Sequence, residues 1–365
     1  MRRWTLVGGG LLAGLVLAEG VCRLVVPNAI TGEPNPNRTG WVVEGLVADP
    51  LVEFAFQPGY SGRMTVPGDY DVPFRINGQG LRADEDYPEE HPGRARILLV
   101  GDSFVFGIGV ELQDTLGEQL ERAFDADGQP GPPVEVVSVG VPSYGLDHYT
   151  KLVERWLPRL HPDLVLVALF PGNDLIDYDL SELDRRTAIE GRLVTERQAW
   201  SWNLRKYSVL AHMLLQHFNP VEHAPHARSL SATPDELDAI YRSTLPWTRR
   251  LLAAPGEGGP PVAVLIIEGR YMLGLHRKGR EDVTPPLGRV LADLRQLGCT
   301  VFDPAEAWIA ADAPESRFFF ARDAHYTLAG NRFMADWLAP RLREAFGARL
   351  LAAGGEAPDG GSPSR

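Results

Sequence analysis

Three short stretches of this sequence carry residue types that can act together in acyl chemistry. Gly101-Asp102-Ser103 supplies a hydroxyl, and Pro171-Gly172-Asn173-Asp174 an amide side chain. Asp323-Ala324-His325 supplies a carboxylate two residues before an imidazole. A fourth stretch, Gly140-Val141-Pro142-Ser143-Tyr144-Gly145, offers loop amides. A serine hydroxyl is a weak nucleophile until a base takes its proton. A histidine can do so near neutral pH, and an aspartate can hold its tautomer and stabilise the imidazolium. The oxyanion of a tetrahedral intermediate needs fixed N–H donors, which loop amides and an asparagine side chain can provide. Taken singly, each residue has a plainer reading. Ser103 could cap a helix, Asn173 could sit in a turn, and His325 could cap a helix or pack in the core.

These stretches share a position. Each of the first three loops follows an apolar run: Ile97–Val100, Val134–Val139 and Leu164–Phe170. Two further runs are Val262–Ile267 and Thr300–Phe302. Runs of this kind fit strands buried on both faces of a parallel sheet. Helical patterns lie between them at Leu112–Phe124, Leu146–Trp156, Pro234–Leu252 and Leu287–Leu297, and a last helix is expected over Thr327–Phe346. The alternation predicts a three-layer α/β/α sandwich. In open parallel sheets, ligands bind beyond the carboxyl ends of the strands. The serine, the asparagine and the amides would then meet at one edge, with the Asp-Ala-His segment arriving just before the last helix.

The rest of the 365-residue chain sets the context. Arg2 and Arg3 precede an apolar stretch from Trp4 to Val26, interrupted by Glu19 and Arg23. Residues 1–27 read as a signal anchor or signal peptide, so a membrane helix is expected, with residues 28–365 facing the periplasm or cell exterior, or secreted if the segment is cleaved. Residues 28–94 read as a linker and a β-rich extension with hairpins near Pro67-Gly68 and Asn77-Gly78. The enzyme-like domain is expected over 95–350, with a helical insertion or lid at 175–233, and 351–365 as a disordered tail. The net charge of −12 argues against nucleic acid as a partner. Two cysteines, Cys22 and Cys299, and scattered histidines make neither a disulfide framework nor a metal site, and no cofactor motif is present. Val105 breaks the Gly-x-Ser-x-Gly elbow of another hydrolase fold.

Taken in order, the blocks resemble the SGNH (GDSL-type) hydrolase family over about Ala95–Phe346. Gly101-Asp102-Ser103 matches its first block, Gly172-Asn173-Asp174 its third, and Asp323-Ala324-His325 with Ala329-Gly330-Asn331 its fifth. Asn77-Gly78-Gln79-Gly80-Leu81-Arg82 is similar to a stretch upstream of the first block in membrane-anchored members. The resemblance implies a flavodoxin-like sandwich, with Ser103 as nucleophile, His325 as base and Asp323 as its orienter. It implies an oxyanion hole from the Ser103 amide, a second-block amide at Ser143 and the Asn173 side chain. In the second block Ser138 stands where the family has asparagine, and Ser143 where it has glycine; Pro171 replaces a glycine in the third. The two-residue step from Asp323 to His325 occurs in branches resembling polysaccharide O-acetyltransferases. The expected activity is ester hydrolysis through an acyl-enzyme. The alternatives are O-acetyl transfer to, or deacetylation of, a cell-envelope polysaccharide, with a membrane acyl-transfer partner, and an inactive glycan-binding scaffold. The expected partners are an ester or acylated-glycan substrate and the membrane.

Overall fold

Every apolar run expected to be a strand forms one. The computed structural model describes residues 2–25, 44–125, 132–172, 174–175, 186–189, 192–195, 204, 207–218, 234–276, 285–311 and 313–355. Strands β1 (Leu46–Asp49) and β2 (Glu53–Phe56) pair antiparallel, as do β3 (Ser61–Val66) and β4 (Tyr70–Arg75). The main sheet holds β5 (Ala95–Gly101), β6 (Val134–Gly140), β7 (Leu164–Leu169), β10 (Val262–Ile266) and β11 (Thr300–Phe302). Between them β8 (Arg186–Ile189) and β9 (Arg192–Thr195) make a separate hairpin, so the insertion expected to be helical carries a strand pair as well as a helix.

The main sheet runs β11-β10-β7-β5-β6, and every neighbouring pair is parallel. Counted along the chain this is the 2-1-3-4-5 order of flavodoxin-like sheets, whose switch point lies between the first and third strands. Here those strands are β5 and β7. The chain leaves β5 toward β6 on one side and later returns to β7 on the other, the arrangement at whose carboxyl ends ligands bind in open α/β sheets.

Side chains alternate between two cores. Leu98, Val100, Val137, Val139, Val165 and Val167 face one side, and Ile97, Leu99, Val136, Leu164, Leu166 and Ala168 the other. The first side is covered by α4 (Leu146–Leu160), with α6 (Pro234–Ala253) and α8 (Pro285–Gln296) beyond it. The second is covered by α3 (Leu116–Phe124) and α11 (Leu328–Gly355). Phe54, Phe56, Met64, Phe74 and Leu81 join the first core, so β1–β4 share a hydrophobic interior with the sheet.

The remaining helices are α1 (Arg2–Val25), α2 (Ser103–Phe106), α5 (Val209–Phe218), α7 (Arg270–His276), α9 (Ala305–Ala310) and α10 (Glu315–Phe318). The segment expected to anchor the chain forms α1. Among the described residues, however, no helix is long and apolar enough to cross a membrane, so the expected membrane helix is not found there. Glu19 and Arg23 pair within α1, and Glu19 also accepts hydrogen bonds from Ser208, Val209 and Leu210 at the start of α5. Helix α11 runs past the expected end of the last helix to Gly355, so the first residues of the expected tail are helical. Asn77-Gly78 is not a hairpin turn. The buried Asn77 side chain accepts from the Gln79 and Leu81 amides and fixes an irregular loop.

One buried ion pair ties β5 to its surroundings. Arg96 is fully buried, pairs with Glu135 on β6 at 2.6 Å, and donates to the carbonyls of Pro88, Glu89 and Leu160. Without Arg96, Glu135 keeps only the longer pairing with the exposed Arg94 at 3.8 Å, and its charge is poorly compensated in a largely buried site. Arg96→Met is expected to lower unfolding free energy by about 3 kcal/mol, read from urea denaturation.

Candidate active site

The chain leaves β5 through Asp102, not through a serine cap. The buried Asp102 carboxylate accepts from the Phe104 amide at 2.9 Å and caps α2. That frees the Ser103 hydroxyl from the capping role open to it in the sequence. Its oxygen lies 2.7 Å from Nε2 of His325, and Nδ1 of the same ring lies 2.5 Å from Oδ1 of Asp323. A carboxylate facing Nδ1 keeps the proton there, so Nε2 is the acceptor for the serine hydroxyl. Ser103, His325 and the Asp323 side chain are all buried. His325 therefore caps no helix; Thr327 does, with its hydroxyl accepting from the Gly330 amide.

The Asp-Ala-His step works because of one backbone conformation. Ala324 has φ of +68°. This left-handed residue turns the chain so that side chains two apart converge on each other. The loop is closed by the Phe320 amide donating to the His325 carbonyl and the Ala324 amide donating to the Phe320 carbonyl. Phe104 packs against the imidazole and Tyr326 packs edge-on against Phe104, while the Tyr326 hydroxyl donates to the Glu268 carbonyl beyond β10.

The loop after the serine is held from below by Arg82. Its buried guanidinium donates to the carbonyls of Phe106, Gly107 and Val110 at 2.6–2.7 Å. Burial pulls its pKa down to about 10, which leaves it charged at neutral pH. This gives the stretch ending at Arg82 a physical job: it closes the orphan carbonyls of the short helix that carries Ser103. Gly140, at the end of β6, lies so close to α2 that a Cβ would meet the Phe106 amide nitrogen at 2.3 Å.

Ser143, in the turn after β6, has φ of +70°. This is a conformation that glycine adopts freely and other residues adopt at a cost. The serine thus holds a glycine-like backbone at the position where the resemblance calls for glycine. Asn173 lies outside the described residues. Its neighbour Asp174 is fully buried and accepts from the Phe170 amide and the Tyr149 hydroxyl. Among the described residues no group of histidine, cysteine and carboxylate side chains could hold a metal ion.

Two residues of the β3–β4 pair enter the site without a sequence signal. Asp69 accepts from the backbone amides of Arg322 and Asp323 at 2.7 and 3.0 Å. The Tyr70 hydroxyl donates to Oδ2 of Asp323, the oxygen not used by His325. Neither residue belongs to a recognisable motif, and both are more than 250 positions from their partners in sequence.

Two predictions follow from backbone and burial. Ser143→Gly is expected to leave stability within about 1 kcal/mol of the parent or above it, whereas Ser143→Val loses about 2 kcal/mol, because a β-branched residue resists positive φ; thermal melts of both variants check this. Burial, with the Asp303 charge, pushes the Glu268 carboxyl up to about 8. The folded protein therefore keeps a proton that the unfolded chain releases above its ordinary value of 4.5. Stability contributed by this group is present at low pH and is lost as pH rises from there toward 8. Glu268→Gln is expected to flatten the fall in Tm over that range.

No family model matches the chain, and no curated protein matches it. Among solved structures, it is similar to a lipase/acylhydrolase from Enterococcus faecalis at 13% identity and a TM-score of 0.39, covering 69% of this chain and 96% of that one. An acetyl xylan esterase matches at 13% identity and a TM-score of 0.39, over 68% of this chain and 99% of the other. A carbohydrate acetylesterase family member from Sinorhizobium meliloti matches at 17% identity and a TM-score of 0.32, over 69% and 99%.

Proposed function

We propose that the chain is a serine esterase of SGNH type. The observation that carries this reading is the continuous hydrogen-bond line from the Ser103 hydroxyl through His325 to Asp323. Ser103 Oγ attacks the ester carbonyl as His325 Nε2 takes its proton. The carbonyl oxygen becomes an oxyanion, which we assign to the backbone amides of Ser103 and Ser143 and the Asn173 side chain. Collapse of the tetrahedral intermediate breaks the ester C–O bond, and His325 returns the proton to the departing alcohol. A water, deprotonated by the same imidazole, then attacks the acyl-serine and regenerates the hydroxyl. Asp323 stays ionised throughout and stabilises the transient imidazolium.

The acyl group and its acceptor are read from the assay rather than from the fold, because one sandwich hosts many substrates. A series of p-nitrophenyl esters from acetyl upward reports the acyl preference, and glycan hydroxyls added as acceptors separate transfer from hydrolysis. Ser103→Ala is expected to cut p-nitrophenyl ester turnover by about a thousandfold or more, and to abolish labelling by a fluorophosphonate probe. Parental turnover in that variant would overturn the assignment.

A further inference from the structure

We propose that Tyr70, on the strand pair that precedes the main sheet, is a positioning residue for this site: it holds one oxygen of Asp323 so that the other faces His325. The inference rests on the esterase reading for its kinetic consequences, but its geometry is independent of it.

A carboxylate has two equivalent oxygens and rotates about its last bond. In the Asp323 side chain both are committed: Oδ1 to His325 Nδ1, Oδ2 to the Tyr70 hydroxyl. The Asp323 side chain is almost fully buried, so solvent does not replace a lost donor. Tyr70 is itself seated. Its ring meets Phe320 edge-on at 4.9 Å, and Gly109 lies against both rings, where a Cβ would come within 2.6 Å of each. Next to it, Asp69 grips the Arg322 and Asp323 amides, and the Arg322 guanidinium returns to the Pro67 carbonyl at 2.7 Å. The turn between β3 and β4 therefore clasps the Asp323 loop at three points. Burial and the Asp323 charge hold the Tyr70 phenol far above its ordinary pKa, so it remains the donor.

The electrostatic consequence has a sign. Among the described residues, the charged and titratable groups on the elements around Asp323 and His325 are Asp69 and Tyr70 from the strand pair and its turn, and Asp102 and Ser103 after β5. Glu268 and Arg270 stand after β10, and Arg322 lies on the loop itself. Tyr70 is the one whose hydroxyl donates directly to the carboxylate in the structure. Its hydrogen bond spreads the negative charge of Asp323. Removing it concentrates that charge on the oxygen facing the imidazole and favours the imidazolium. A base held as imidazolium works only at higher pH.

Tyr70→Phe keeps the ring and removes the donor. In the intact chain, kcat for a p-nitrophenyl ester is expected to fall roughly tenfold with KM little changed, and the acidic limb of the pH–rate profile to move to higher pH. Placing 3-fluorotyrosine at position 70, a stronger donor of nearly the same shape, is expected to move that limb the opposite way, which keeps the test open if the Phe variant folds poorly. A tyrosine that only packs would lower Tm and leave the limb in place, and that outcome overturns the proposal while the esterase reading stands. If the parent shows no Ser103-dependent turnover, the functional reading fails instead. The proposal is then decided by the low-field imidazole N–H proton resonance of His325, expected to shift in Tyr70→Phe and overturning the proposal if it does not.

Discussion

A hydroxyl and an imidazole nitrogen 222 residues apart in sequence sit 2.7 Å from each other, and the rest of the structure is arranged around keeping them there. Proton transfer tolerates little misplacement, so neither partner can ride on a free loop. Ser103 begins a helix of a single turn whose amino end is capped by Asp102 and whose trailing carbonyls are closed by Arg82. His325 sits between a closed six-residue turn and the start of α11, with Phe104 of the serine's own helix against its ring. The two are thus packed on each other as well as bonded. Because β5 is the central strand of the switch point, a shift in Ser103 would have to move a strand paired on both sides.

That arrangement explains which parts of the molecule were legible in the sequence. Ile97–Val100 and Leu164–Leu169 are buried on both faces, and continuous apolar runs write that condition directly into residue type; the edge strand Val134–Val139 is half-buried at Glu135 and Ser138, which break its run. The loops after them inherit their meaning from the strands, so Ser103 and the Asp323–His325 pair could be placed at one edge by order alone. Helix ends were less legible. The last helix continues past Phe346 to Gly355 through alanine- and leucine-rich turns, because Leu350 and Ala353 on its inner face still pack on the second core. A composition of small residues reads as a tail until that tertiary partner is known.

The clasp formed by Asp69 and Tyr70 was not legible, and the reason is physical. A tyrosine on a two-stranded antiparallel pair has the same residue type whether its hydroxyl meets water or a carboxylate. Only the packing of β1–β4 against the first core, through Phe54, Phe56, Met64 and Phe74, brings the turn onto the Asp323 loop. Residues 28–94 read as a linker and β-rich extension in the sequence, because the strand-like pieces are short and the turns polar. Those pieces spend their hydrophobic residues on a shared interior instead of one of their own.

Two left-handed residues, Ser143 and Ala324, belong to this same logic. Each occupies a conformation that costs a non-glycine residue about 1 kcal/mol or more; Ser143 lies in the turn after β6, and Ala324 between Asp323 and His325. At Ala324 the cost is offset by closure of the Phe320–His325 turn and by the Asp69 grip on its preceding amide. A glycine there would relax the backbone but also widen the range of shapes open to Asp323 and His325. A side chain that narrows that range favours a fixed hydrogen-bond line over an easily formed one. The restraint on Asp323 is then supplied twice, by the backbone of its own loop and by the strand pair laid across it.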